Sequence, residues 1–214
     1  MSFEKLFKQV SRLQGWRQKV YALGLAERSL PHLLLYGELH DRRKQARQFQ
    51  RMLDILWESV SQRQPQVWLG KELDEDGVPK GASVLIEAWQ SDLESDESFG
   101  GVAARHSLQL VEGALLVFQG RTALAVDLGQ QSFNFVTEFV EMQDGEGLDD
   151  EGLVALFEAS ELCQAELQWQ RSLVAQLAQH TGAPDRPWLE TLRSEAANEG
   201  VSGIGISADV ASEE

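Results

Sequence analysis

Cysteine is nearly missing: Cys163 stands alone in 214 residues. A single thiol closes no internal disulfide and offers no paired-cysteine metal knuckle, which fits a reducing compartment, and a bacterial cytoplasm is the expected location. Long apolar runs are missing too. The longest near the middle, LQLVEGALLVF, is broken by Glu112 and Gly113, well short of the roughly 20 residues that span a bilayer, so no membrane association is expected. The opening MSFEKLFKQVSRLQ interleaves charge with apolar residues. It has neither the apolar core nor the small-residue cleavage site of a secretory signal. Prolines occur only at 31, 65, 79, 184 and 187, each beside a break in the apolar pattern, which leaves long stretches for helices. Alternating Val, Ile and Thr runs bounded by turn pairs, the mark of half-buried strands, do not occur.

Catalytic signatures are equally sparse. None of the four histidines has a glutamate three residues before it, and HExxH is missing, so neither a di-iron bundle nor the common helical zinc site is expected, and no metal or cofactor. His32, His40 and His180 read as surface or capping residues, and His106, beside Arg105, is the one histidine kept as a site candidate. There is no GxSxG elbow and no P-loop. Cys163 sits on a Glu-rich helix, where acidic neighbours raise a thiol pKa instead of activating it. GVSGIGISA contains GxGxxA, but it follows a helix and has no strand before it, so it does not read as a dinucleotide fingerprint. Ile204 and Ile206 are expected to lie on the body of the protein as an extended strap, with glycines allowing close approach.

Positive charge is scarce beyond residue 51. Residues 1–51 carry 11 Lys or Arg against 4 Asp or Glu (+7), and residues 52–214 carry 8 against 30 (−22), for −15 overall. A basic end thus faces an acidic body. That asymmetry can steer a partner or can simply be satisfied within the fold, and so acidic a chain is a poor general binder of nucleic acid.

What the chain has in abundance is Leu, Ala, Gln and Glu at helical spacing. Helices are expected near 3–12, 14–29, 31–40, 42–61, 82–93, 101–119, 122–142, 151–180 and 187–199, with Asp41, Thr122 and Asp185 as N-caps and Gly200 as a stop. The fold class is all-α: one domain over 1–206, an irregular bundle, then an acidic disordered tail over 207–214. The linkers LDEDGVPKG and MQDGEGLDDEG carry the turn residues. On 42–61, Ala46, Phe49, Leu53, Leu56, Trp57 and Val60 form one stripe, with Met52 and Ile55 outside it, which places this helix centrally. Arg43, Lys44, Arg47 and Arg51 share another side, a candidate basic patch. Asp54 and Glu58 continue that side, so salt bridges within a solvated face are the ordinary explanation. Trp16, Trp57 and Trp169 fall on apolar stripes; Trp68, Trp89 and Trp188 fall near helix ends or linkers, where they could line a groove or a dimer contact.

One residue breaks the pattern. Leu13, Trp16, Val20, Leu23 and Gly24 share a helical face, and Glu27 lands among them. An inward carboxylate without a partner is neutralised or costs several kcal/mol, so a donor should meet it. Arg28 projects about 100° away; Arg51, Arg193 and His106 are the candidates. Two readings stand. Glu27 belongs to a core ion pair, or Glu27, Arg28, Asp54 and Glu58, with His106, form an enzyme or small-ligand site.

LQGWRQKVYALGLAERSLP, FQRMLDILWESV, ELQWQ and LRSEAANEGVSGIGIS, in that order, resemble the YjaG-like family, a bacterial domain of unknown function. The resemblance covers most of the chain and is clearest over 13–60 and 166–206. It implies a compact all-helical fold and no activity. Its recurring features fall on Trp16, Glu27, Arg28, Pro31, Leu53, Asp54, Trp57, Glu58, Trp169, Arg193, Ile204, Gly205 and Ile206. Gly203 stands where the family typically has asparagine, and the basic run RRKQAR departs from it as well. The leading functional expectation is a non-enzymatic helical module that binds a protein partner or forms a homodimer.

Overall fold

The computed structural model describes residues 3–61 and 81–208. Among them the chain forms nine α-helices: α1 Phe3–Val10, α2 Trp16–Leu39, α3 Arg43–Ser61, α4 Ala82–Glu94, α5 Phe99–Phe118, α6 Leu124–Asp144, α7 Asp150–Ala159, α8 Glu161–Gln179 and α9 Arg186–Ala197. A 3₁₀ turn, Asn198–Gly200, follows α9. The described residues contain no strand beyond a single antiparallel bridge, Val201 to Ser207. The all-α expectation therefore stands, and no helix among the described residues is long and apolar enough to cross a membrane.

Helix α2 is the hub. It packs chiefly on α5 and α3 and also meets α6, α8 and α9, so the central role expected of 42–61 belongs to α2 instead. The expected break at Pro31 does not occur: α2 runs through it, with Pro31 buried inside the helix. A proline ring removes one backbone N–H, but residues 20–33 are covered by neighbours that keep the helix continuous, and burial outweighs the lost bond. The opposite error lies at 151–180. Ser160 adopts extended backbone (φ −67°, ψ 125°) and its hydroxyl caps the Cys163 N–H, dividing the stretch into α7 and α8.

Asp185 caps α9 as expected, accepting from Trp188 N–H at 2.9 Å. Asp41 stands two residues before α3, in left-handed conformation (φ 56°) in the tight α2–α3 turn. Thr122 is displaced by Ala123, which has no side-chain cap to offer. Helix α9 stops at Asn198, in left-handed conformation, before Gly200 is reached. Trp89 is not peripheral: it is 1 % exposed at the centre of the core, edge-on to Phe49. Trp68 and most of the LDEDGVPKG linker lie outside the described residues.

A main apolar core surrounds α2, and a smaller one gathers Ala103, Phe133, Phe135, Val136, Val140, Cys163 and Ile204. The expected strap is a folded-back turn: Ser202 N–H bonds the Ile206 carbonyl and Gly205 N–H bonds Ser202, so Ile204 inserts as a plug. Ser207 is placed by the bridge to Val201; residues 209–214 of the expected tail lie outside the described residues.

Candidate functional site

Two buried carboxylates organise the interior. Glu27, on α2, is 7 % exposed. Its Oε1 accepts from Arg193 Nη2 of α9 at 3.1 Å and its Oε2 from Trp57 Nε1 of α3 at 3.0 Å. The same Arg193 nitrogen reaches Asp54 Oδ1. Burial pushes the Glu27 carboxyl above its ordinary range; the Arg193 charge and the two hydrogen bonds pull it back in part, and Asp54 adds to the rise. Arg193 is the partner among the three candidates. Glu58 does not join the pair. It lines, with Asp54, Trp57, Arg186, Glu190 and Arg193, an open groove of about 320 Å³ beside it, and Glu27 is not on that groove's wall.

Arg28 turns away, as its helical position requires, and meets the second carboxylate. Its Nε donates to Glu166 Oε2 of α8 at 2.8 Å, and its guanidinium lies 4.7 Å from the Trp169 ring. Glu166, 1 % exposed, takes Ser132 Oγ and Gln170 Nε2 on Oε1, each at 2.9 Å. Gln170 in turn donates to the Gly129 carbonyl and accepts from Tyr21 Oη at 2.7 Å. Such a chain is stable only when every member is satisfied, and here each carboxylate oxygen has a donor. Close packing seals it: a Cβ on Gly129 would stand 2.3 Å from Tyr21 Oη.

His106 is neither a surface residue nor a partner of Glu27. It stacks on Phe135 at 4.2 Å and its Nε2 faces the Gln131 carbonyl at 3.3 Å. His32, expected at the surface, is 4 % exposed. Burial first, then their mutual repulsion in the case of His106, brings the imidazoles down to about 4 for His32 and about 3 for His106. Both rings are neutral near pH 7. Among the described residues, His106 Nδ1 and both nitrogens of His32 have no well-formed hydrogen bond; the Ala103 backbone approaches His32 without closing one. An unsatisfied buried polar group costs about 1–3 kcal/mol. His40 and His180 are the C-caps of α2 and α8, as expected of capping histidines.

The basic run separates into several environments. Arg43 pairs with Glu38, and Arg42 pairs with Asp92 while lying over Trp89. Arg43, Lys44, Arg47 and Arg51 line an open groove that Glu38 and Asp41 also enter. Asp54, expected to continue that side, pairs with Arg193 of α9. The Cys163 thiol is 2 % exposed and raised by burial, the inert state. Among the described residues no group of three His, Cys, Asp or Glu could hold a metal ion.

Glu166, Gln170, Tyr21, Ser132 and His32 escaped the sequence reading. The signal for Glu166 was present: Glu166, Gln170, Leu173, Val174 and Leu177 recur at the spacing that exposed Glu27, and all are buried. His32 was hidden by the false break at Pro31, for on one continuous helix Leu25, Ser29, His32 and Tyr36 share a face.

An all-α bundle knit by two buried glutamates, each paired with an arginine, is thus the class of molecule that fold and site define. Residues 5–207 match the family described as "Protein of unknown function (DUF416)", and the chain belongs to that family. It is 24 % identical over 205 residues to an uncharacterized protein of Haemophilus influenzae, covering 94 % of this chain and 96 % of the relative. Its fold is similar to the crystal structure of a DUF416 family protein from Shewanella baltica, with a TM-score of 0.76 at 21 % identity over 97 % of this chain and all of the other.

Proposed function

We propose that this chain is a non-enzymatic cytoplasmic module, of YjaG-like type within its family, that docks a basic protein partner on the α6–α7 hairpin. The observation that carries the reading is α7 itself. It holds Leu153, Val154, Leu156 and Phe157, yet none of its residues is fully buried. Met142, Leu148 and Val154 are 60 %, 43 % and 56 % exposed within this one hairpin. Around them the charge is of one sign: residues 122–170 contain 11 Asp or Glu and no Lys or Arg. Apolar anchors inside an anionic rim fit a partial apolar surface with a cationic rim. A symmetric homodimer through this face would set acid against acid, which disfavours a second copy as occupant. The interior carboxylates support the non-enzymatic half, because their oxygens are engaged by neighbours and away from the open groove.

The test compares wild type with Met142→Ser/Val154→Ser as bait in lysate, alongside light scattering of each alone. The expected result is a basic protein retained by wild type, released by salt and weakened at least fivefold by the double substitution. Equal retention by both baits, or concentration-dependent dimerisation lost in the variant, would overturn the choice of partner. The groove beside Arg193 favours a second reading, a small-ligand site, since its volume lies at the lower bound of known ligand clefts. Nucleic acid on the 42–51 run is a weaker fit, because Arg43 and Arg42 already hold carboxylates.

A further inference from the structure

Under the C-terminal turn, five elements converge on a narrow cleft of about 20 Å³: Arg28, Ser29 and His32 from α2, His106 from α5, Ser132 from α6, Glu166 from α8, and Gly203 with Ile204 from the turn, with Phe135 and Val136 making much of the accessible wall apolar. Both imidazoles on its wall are more than nine-tenths buried, and among the described residues three of their four nitrogens have no hydrogen-bond partner. Buried polar atoms in native proteins are satisfied by protein, by ordered water or by ligand. Among the described residues no protein group closes a hydrogen bond to His106 Nδ1, and only the Ala103 backbone comes near His32. We propose that this cleft is a binding site for a small uncharged hydroxyl, water being the smallest and the hydroxyl of a short alcohol offering the same chemistry.

Charge, polarity and size each narrow the choice. Arg28 and Glu166 cancel at 2.8 Å, and the two rings are neutral, so an anion meets Glu166 and a cation meets Arg28. His106 Nε2 faces a carbonyl, which assigns its proton there and leaves the Nδ1 lone pair as an acceptor. The occupant must therefore donate. Glu166 Oε2, which accepts from Arg28 Nε, and His32 offer further sites to the same molecule. The volume suits one water, which needs about 10–15 Å³; a longer alcohol requires Gly203 and Ile204 to shift. Gly203 sets the ceiling. A Cβ there would stand 3.1 Å from Glu166 Oε2 and 3.7 Å from both Arg28 Nε and Val136 Cγ2. Its backbone lies outside the left-handed region, so a larger residue fills space without backbone strain.

The experiment uses the full chain labelled with ¹⁵N at histidine. Water, methanol and acetonitrile are the probes, the last able to accept a hydrogen bond but not to donate one. The expected results are magnetisation transfer from a long-lived water to the carbon-bound protons of His32 and His106, and a saturable methanol shift at His106 Nδ1 that acetonitrile does not reproduce. In Gly203→Val the water contact disappears and any methanol response weakens at least tenfold. Val136→Ile, which narrows the cleft from α6, replaces that variant if it fails to fold. Water contact without a methanol response supports the proposal with water as the sole source. No contact from either, an equal acetonitrile response, or an unchanged response in the narrowed variant overturns it.

Discussion

Replacing Arg193 by methionine would strand the Glu27 carboxylate in a nearly dry site. Removing one member of a buried pair costs about 3–5 kcal/mol, because the remaining charge is buried without compensation. Two features reduce this. The Arg193 side chain is 28 % exposed, so water can follow, and Trp57 Nε1 still donates to Oε2. The expected loss is about 2–3 kcal/mol at pH 7, or about 4–12 °C in Tm for a chain of this size. Its pH dependence identifies the cause. Glu27 has a folded-state pKa raised above its unfolded value, so its contribution to stability is present below the ordinary carboxylate range and is lost as pH rises through the folded value. Without Arg193 that rise grows. Urea unfolding of wild type and Arg193→Met, compared at each pH, should therefore give a difference that shrinks below about 1 kcal/mol near pH 4, where Glu27 is protonated. Adding Glu27→Gln to the variant should recover about 1 kcal/mol or more at pH 7. A difference that does not change with pH, or a loss under about 0.5 kcal/mol at pH 7, would refute the inward, compensated carboxylate.

Two further outcomes follow from the interior. His32 and His106 fold with lowered pKa values, so their contribution to stability is present above the unfolded value of 6.5 and is lost as pH falls toward about 4 and about 3; His32 alone accounts for about 3 kcal/mol of acid lability, and His32→Phe should flatten the unfolding profile between pH 6 and 4. Gly129→Ala would drive a methyl against Tyr21 Oη and break its bond to Gln170, with a net loss of about 1–2 kcal/mol in chemical denaturation after the gain in helix propensity is subtracted.

The helical fold and the burial of Glu27 were legible because both depend on the 3.6-residue period, which a linear chain displays directly. The partner of Glu27 was legible only as a short set, since Arg193 lies 166 residues away and periodicity carries no information about which helices meet. Pro31 and Ser160 mark the limit of local rules. Burial on several sides overrode a helix breaker in one case, and an N-cap serine inside an acidic, periodic run went unread in the other. The His32–His106 cleft depended on the continuity of α2, on the register of α5 against it and on the return of the C-terminal turn, none of which is local. The stripe that contains Glu166 could have been read, as the one that contains Glu27 was.

The claim on which the rest depends is that helical winding turns Glu27 inward and that Arg193 is what makes this tolerable. Its most direct test is a ¹³C titration of the Glu27 side-chain carboxyl in the full chain, with and without Arg193→Met. The expected result is a midpoint above the ordinary glutamate value in wild type and a further rise in the variant. A Glu27 that titrates like a free side chain, indifferent to residue 193, would contradict it.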